Sequence, residues 1–488
     1  MRRPFIVTSP LAHRRNITAL SHRQPPWPPP SPPPAKNASL SLMADRCKSM
    51  DQIKQIHAQM IVTARIHDVY AASRLLNFCA LSPSGDLRHA LRLLHSVPAP
   101  NLFMWNTVIR AHAASSNPVA GFLLYAQMRR RGGGVSPGTH TFPFVLKACS
   151  HIQSVTCCAQ VHVHVLKFGL GWNLHVANGL VRCYSISSGL PEARKVFDEM
   201  CERNLSIWTT MICGYAQNNQ SKESILLFEE MISNGFEPNG VVFSSVLSAC
   251  AQSACLDLGE QIHAYMKEKG MELGVILGTA VVNMYAKNGA LEKAKICFDE
   301  MREKNVATWN SLIWGLAVHG HALEAIRYFE MLEKGKMKPN EITLLGVLSA
   351  CCHAGLFDYG SDVFYSMRRV YGVEPNIKHY GCMVDLVGRV GRILEAEDLI
   401  RKMPWKPDVV IWGALLSACK EFGEIEVAER VVEEILDLDP ENHGVYVVLS
   451  NMYAEAGRPL DKKPIPTTTY GTQPDFSAQQ SLRYSENL

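Results

Sequence analysis

Apolar residues recur between Val275 and Asn305 in two helical rhythms separated by a glycine. Val281, Met284 and Tyr285 share one face of LGTAVVNMYAKNG, and that pattern stops at Gly289. Leu291, Ala294, Phe298 and Met301 then follow at steps of three and four through LEKAKICFDEMRE, which predicts a second short helix. Ala193, Val196, Phe197 and Met200 repeat the second half within residues 174–204. Neither hairpin is long enough to enclose its own apolar face, so neighbours must stack and share a continuous core. The expected fold is an all-α solenoid.

The same marks return along the chain. Trp105, Trp208, Trp309 and Trp412 lie 103, 101 and 103 residues apart, and His57, His162 and His263 lie 105 and 101 apart. A period this long, kept by two unrelated residue types, marks a repeat array. Turn signals divide each period into three, giving units 34–68, 69–101, 102–138, 139–173, 174–204, 205–239, 240–274, 275–305, 306–340, 341–376 and 377–408. From 139 to 340 the units alternate long, short, standard through two cycles. Extra residues at SPSGD and RRRGGGVSP fall in turns, where they disturb stacking least.

The 488 residues would ordinarily make several domains, but a solenoid spreads one elongated core over that length. No apolar run reaches the roughly 18 residues of a membrane span. Residues 1–44 contain six basic residues and no acid, which leaves 43 basic against 45 acidic in the remainder. A nucleic acid bound by such a body would be held more by base contacts than by phosphate neutralisation. The 15 cysteines contain no C-x-x-C spacing, and Cys149, Cys250, Cys351 and Cys419 each take the eleventh place of a unit. They are expected to be small packing residues in a reducing compartment, with neither metal nor cofactor.

Residues 1–24 are Arg-rich, contain Ser and Thr and lack acid, the composition of an organellar transit peptide; the arginines favour a mitochondrion over a plastid. PPWPPPSPPP at 25–34 is a stiff spacer, so 1–33 is assigned to targeting and linker. After Arg458 the Pro/Thr/Gln-rich sequence has no apolar period, and 459–488 is expected to be a disordered tail.

WTTMICGYAQNNQSKESILLFEEMISNGFEPN and WNSLIWGLAVHGHALEAIRYFEMLEKGKMKPN resemble the pentatricopeptide repeats of plant organelle proteins, in the subfamily that alternates standard, long and short repeats. The resemblance spans about 34–458. It implies a right-handed, TPR-like superhelix of helix-turn-helix repeats that binds single-stranded organellar RNA, most often to direct C-to-U editing. Residues 409–458 resemble the start of the "E" extension of editing members, which here is incomplete. No H-x-E is paired with a C-x-x-C, the ligand and proton-shuttle set a zinc deaminase needs. The chain is therefore expected not to be an enzyme and to rely on a deaminase-bearing protein in trans, with no membrane partner.

In this family the fifth and last residues of a repeat read one base, because unstacked bases offer their Watson–Crick edges to side chains. Carried onto this chain, the pairs are Asn178 with Asn204, Thr209 with Asn239, Thr279 with Asn305, and Asn310 with Asn340. Ser73 with Asn101 is a weaker pair, and Asn106 is matched with Gly138, which carries no reader. By the family's rule Thr/Asn reads adenine and Asn/Asn a pyrimidine, cytosine more than uracil. Units 174–340 then spell Y-A-x-A-Y. The long units carry Pro143/Asn173, Ser244/Gly274 and Leu345/Asn376, which fit no pairing and are expected to be spacers; Gly381/Asp408 fits none either.

Each last-place Asn is also a natural helix cap, and the two roles are compatible. The four tryptophans are expected to be inter-repeat core in preference to stacking platforms, and the three histidines packing residues. Two other functions stay open: an RNA stability, splicing or translation factor, and a helical-repeat protein-interaction scaffold.

Overall fold

A computed structural model of the chain describes residues 43, 46–131 and 134–457. The targeting segment and linker at 1–33, the opening of 34–68 and the tail at 459–488 lie outside the described residues. Those described form short α-helices of 9 to 14 residues and no strand. The chain divides into two units, Met1–Ala249 and Cys250–Leu488, and each is an α-solenoid.

In the first unit the helices Val69–Leu81, Leu102–Ala113, Thr141–Ile152, Leu174–Ile186 and Leu205–Gln217 pack side by side as one layer. Each is followed by a partner, among them Leu87–Ser96, Pro118–Arg130, Leu190–Glu199 and Ser221–Ser233, which forms the second layer and leans on the next first helix. The second unit repeats this with first helices Val275–Lys287, Val306–Val318, Glu341–Ala354, Ile377–Arg389 and Val409–Phe422, and closes on Gly444–Glu455.

The residues that predicted the hairpin at 275–305 are those that bury. Val281, Met284, Ala294 and Phe298 are at most 2% exposed. Gly289 takes φ +76° at the turn between the two helices, a left-handed conformation that costs other residues the contact of their Cβ with the backbone.

The tryptophans form part of this core. Trp208 meets Phe197 edge-on at 4.8 Å in the first unit, and Trp309 meets Phe298 edge-on at 4.7 Å in the second. Arg203 lies 4.7 Å over Phe197 while donating to its carbonyl, and Lys304 lies 4.9 Å over Phe298 while donating to Met301 O. A cation thus covers each aromatic pair and satisfies carbonyls at a helix C-terminus.

Small residues let first helices approach closely. A Cβ on Gly315 would lie 2.5 Å from Ala286 Cβ in the preceding first helix. Cys149, Cys250, Cys351 and Cys419 are all fully buried, and burial pushes the Cys351 and Cys419 thiols up to about 12.

Candidate functional site

Most first helices begin with a polar side-chain cap; Thr141–Ile152 and Val275–Lys287, preceded by His140 and Gly274, do not. Asn204, Asn305 and Asn340 sit at the N-termini of Leu205–Gln217, Val306–Val318 and Glu341–Ala354, where each Oδ1 accepts from the backbone N–H three residues on, at 2.9 to 3.1 Å. Asn239 does the same for Gly240–Gln252, accepting from Val241 and Val242. Oδ1 accepts in every case because the open helix end presents donors only. Asn204, Asn305 and Asn340 are exposed and Asn239 half-buried.

The fifth-place residues lie one turn further along the same helices. Asn310 is 7% exposed and donates to Asn340 Oδ1 at 3.0 Å, so this pair is joined directly. Thr279 reaches Asn305 through Thr308: the two threonine hydroxyls are 2.7 Å apart, and Thr308 Oγ1 lies 2.9 Å from Asn305 Oδ1. Ser73 is buried and accepts from Asn101 at 3.5 Å.

The other pairs are not joined. Asn178 donates to Ser206 Oγ at 3.2 Å and accepts from Thr210 at 2.7 Å, while Thr209 donates to its own helix at Leu205 O. Asn106 is 1% exposed with Oδ1 unpartnered, and Gly138 donates its N–H to Thr141 Oγ1. At the spacer positions, Leu345 is buried and Ser244 bonds back to Val241 O.

The recurrent histidines are bonded inside the repeats. His57 Nδ1 meets His89 Nε2 at 3.1 Å, and His162 and His263 pair with the hydroxyls of Tyr184 and Tyr285 at 3.1 and 3.0 Å. Burial lowers all three below the usual histidine range, so they are neutral packing groups at neutral pH.

One feature of this face escaped the sequence reading. Val241, Ile276, Ile342 and Val410, each second in its first helix, are 56, 79, 52 and 52% exposed. Ile276 and Thr279 stand three residues apart and so share a helix face. The signal was an apolar residue out of phase with the buried stripe. Hydrogen-bonding groups thus recur on most first helices, and an exposed apolar side chain stands near them in the repeats that begin at 240, 275, 341 and 409. Among the described residues no cluster of His, Cys, Asp or Glu could hold a metal, and no helix is long and apolar enough to cross a membrane.

Comparison with known proteins assigns the array. The family described as PPR repeat matches residues 103–133, 176–205, 241–271, 279–306, 342–370 and 378–406, and the PPR repeat family matches 203–252 and 304–353. A pentatricopeptide repeat-containing protein of Arabidopsis thaliana is 37% identical over 444 residues, covering 84% of this chain and 83% of the relative. The chain belongs to the pentatricopeptide repeat family. A second Arabidopsis pentatricopeptide repeat-containing protein, described as chloroplastic/mitochondrial, is 38% identical and covers 93% of this chain and 75% of the relative. The E motif matches 422–466, so its end lies beyond the described residues. In fold, the chain is similar to pentatricopeptide repeat protein PPR10 of maize, solved in complex with an 18-nt psaJ RNA element. The TM-score is 0.66 and the identity 16%, over 84% of this chain and 62% of that one.

Proposed function

We propose that this pentatricopeptide repeat protein is a sequence-specific single-stranded RNA-binding factor of a plant organelle that specifies C-to-U editing with a deaminase supplied in trans. The observation that carries RNA reading is the repeated amide: Asn204, Asn239, Asn305 and Asn340 each give Oδ1 to a helix end and keep Nδ2 for a partner. Such a group recurring along the array, though not at Gly138 and Gly274, suits a polymer of regularly spaced, unstacked bases. The exposed Val241, Ile276, Ile342 and Val410 give base faces an apolar surface beside those groups. PPR10, solved in complex with an 18-nt psaJ RNA element, supports this reading.

The E motif supports the editing role, and the organellar names of relatives support the compartment. The acid-free, Arg-rich residues 1–24 favour a mitochondrion over a plastid. In the repeat frame 174–204 to 306–340, the readers spell Y-A-x-A-Y.

A binding selection on random single-stranded RNA with the full chain is expected to recover that core. Absence of any preferred sequence would leave the scaffold function standing instead. Sequencing organelle transcripts from plants lacking the protein is expected to show at least one unedited cytidine; altered transcript ends or splicing with every edited site intact would replace editing by a stability or splicing role.

A further inference from the structure

We propose that Thr343 and Thr210 are positioning residues: each turns the side-chain carbonyl of a fifth-place asparagine inward, so that Asn310 and Asn178 offer a base only N–H. The inference rests on the RNA-reading function and adds the groups that set which base is read.

The orientation at Asn310 is forced by a closed circuit. Asn340 Oδ1 accepts the Thr343 backbone N–H at 3.0 Å, and Asn340 N donates to Thr343 Oγ1 at 3.1 Å. Asn310 Nδ2 donates to the same Asn340 Oδ1 at 3.0 Å. Thr343 is fully buried and has one hydroxyl proton to give. Its Oγ1 lies 2.6 Å from Asn310 Oδ1 and 3.0 Å from Asn340 Oδ1; the latter already takes two N–H groups, so the proton goes to the nearer Asn310 Oδ1. Turning the Asn310 amide over would set two carbonyl oxygens against each other at 3.0 Å and face the hydroxyl with N–H. The remaining Asn310 N–H and the Asn340 Nδ2 are therefore the groups left for a ligand.

The first unit reaches the same polarity through a different frame. Thr210, sixth in its unit where Thr343 is third, places its one hydroxyl proton between Asn178 Oδ1 at 2.7 Å and Ser206 O at 2.8 Å, and Asn178 Nδ2 donates to Ser206 Oγ at 3.2 Å. Thr343 thus holds Asn310 in a closed circuit, and Thr210 offers Asn178 the same contact in competition with a carbonyl of its own helix.

The threonine readers show the opposite sign. Thr209 gives its proton to Leu205 O at 2.7 Å and keeps lone pairs. Thr308 Oγ1 accepts Asn305 N and has one proton to place between Asn305 Oδ1 at 2.9 Å and Thr279 Oγ1 at 2.7 Å; with that proton on Asn305, Thr279 donates to Thr308 and also keeps lone pairs. Thr/Asn repeats then present an acceptor beside a donor, which matches the N6–H and N1 of adenine. Asn/Asn repeats present donors only, which match the adjacent N3 and O2 acceptors of cytosine.

The test uses the full chain and synthetic single-stranded RNAs carrying the Y-A-x-A-Y core, varied to C, U, A or G at the base opposite 306–340. The wild type is expected to prefer cytosine there. Thr343→Val keeps the shape and removes the donor to Asn310 Oδ1, leaving that carbonyl open to a base beside the N–H, so cytosine-over-adenine preference falls about tenfold while preferences at the other bases stay. Thr343→Ser restores it, which a purely structural role of the side chain does not predict. Thr210→Val lies outside a capping box and gives the same loss at the first pyrimidine, so the test stands even if Thr343→Val fails to fold. Folded valine variants with unaltered preferences overturn the positioning role and leave RNA reading intact. A wild type with no base preference overturns both.

Discussion

The hydroxyl oxygens of Thr279 and Thr308 lie 2.7 Å apart, and Thr308 is itself tied to the Asn305 cap. The fifth and last residues of that repeat are therefore one hydrogen-bonded group. Thr279→Asn replaces a lone pair by N–H at a single repeat. The preferred base there is expected to change from adenine towards cytosine, with a discrimination change of about 1–3 kcal/mol in a binding assay on single-base RNA variants. Unaltered selectivity in a folded variant would remove Thr279 from the readers.

Glu397, with a side chain 9% exposed, is gripped by Arg430 at 2.6 Å and Arg401 at 2.9 Å, joining Ile393–Arg401 to Ile425–Leu438. The hydrogen bond from Arg430, with that from Arg401, holds its carboxyl down at about 2. A depressed folded value stabilises the protein above the ordinary carboxylate range of about 4. That contribution should decline as pH falls from about 4 to about 2. Glu397→Gln is expected to cost about 2 kcal/mol at neutral pH and to flatten the acid limb of a melting-temperature profile.

Trp309 packs edge-on against Phe298 and at 6.4 Å from Tyr328, with 9% exposure. Trp309→Ala should cost about 3–5 kcal/mol in denaturant unfolding through the cavity it leaves. At temperatures where the variant stays folded, its base preference should match the wild type. A specific loss at one base with stability unchanged would make Trp309 a stacking platform instead.

Gly315→Ala places a methyl 2.5 Å from Ala286 Cβ and 3.1 Å from its backbone. Crowding of about 1–3 kcal/mol should outweigh the helix-propensity gain of about 1 kcal/mol, lowering the melting temperature. At Gly214 the neighbours are the Ser185 hydroxyl, which can rotate away, and the Ser185 Cβ at 2.8 Å, a longer approach than the 2.5 Å at Gly315. Gly214→Ala is therefore expected to be the milder of the two, a ranking that calorimetry of the pair checks.

The hairpin architecture was legible because its code is short-range. Leu291, Ala294, Phe298 and Met301 repeat at helical spacing, and all four are buried. Cap identity was legible as well, since an asparagine before a helix meets open N–H groups whatever the neighbours are. What each fifth-place residue bonds to was not. Asn178 is held by Ser206 and Thr210, about thirty residues on, whereas Thr209 turns back onto Leu205 O. Those choices depend on how successive first helices face each other, which no local period encodes. The exposed Ile276 was passed over for the reverse reason: an apolar residue off the buried stripe looks like noise until its exposure is known.

In the proposed RNA-reading role Asn204, Asn239, Asn305 and Asn340 carry two duties, which narrows the lexicon open to evolution. A side chain at that place also starts a helix, which favours Asn, Asp, Ser and Thr and tolerates the glycines at 138 and 274. In that role new target sequences are reached most cheaply by rewriting the fifth place, where exchanging a hydroxyl for an amide alters the message without disturbing the scaffold that carries it.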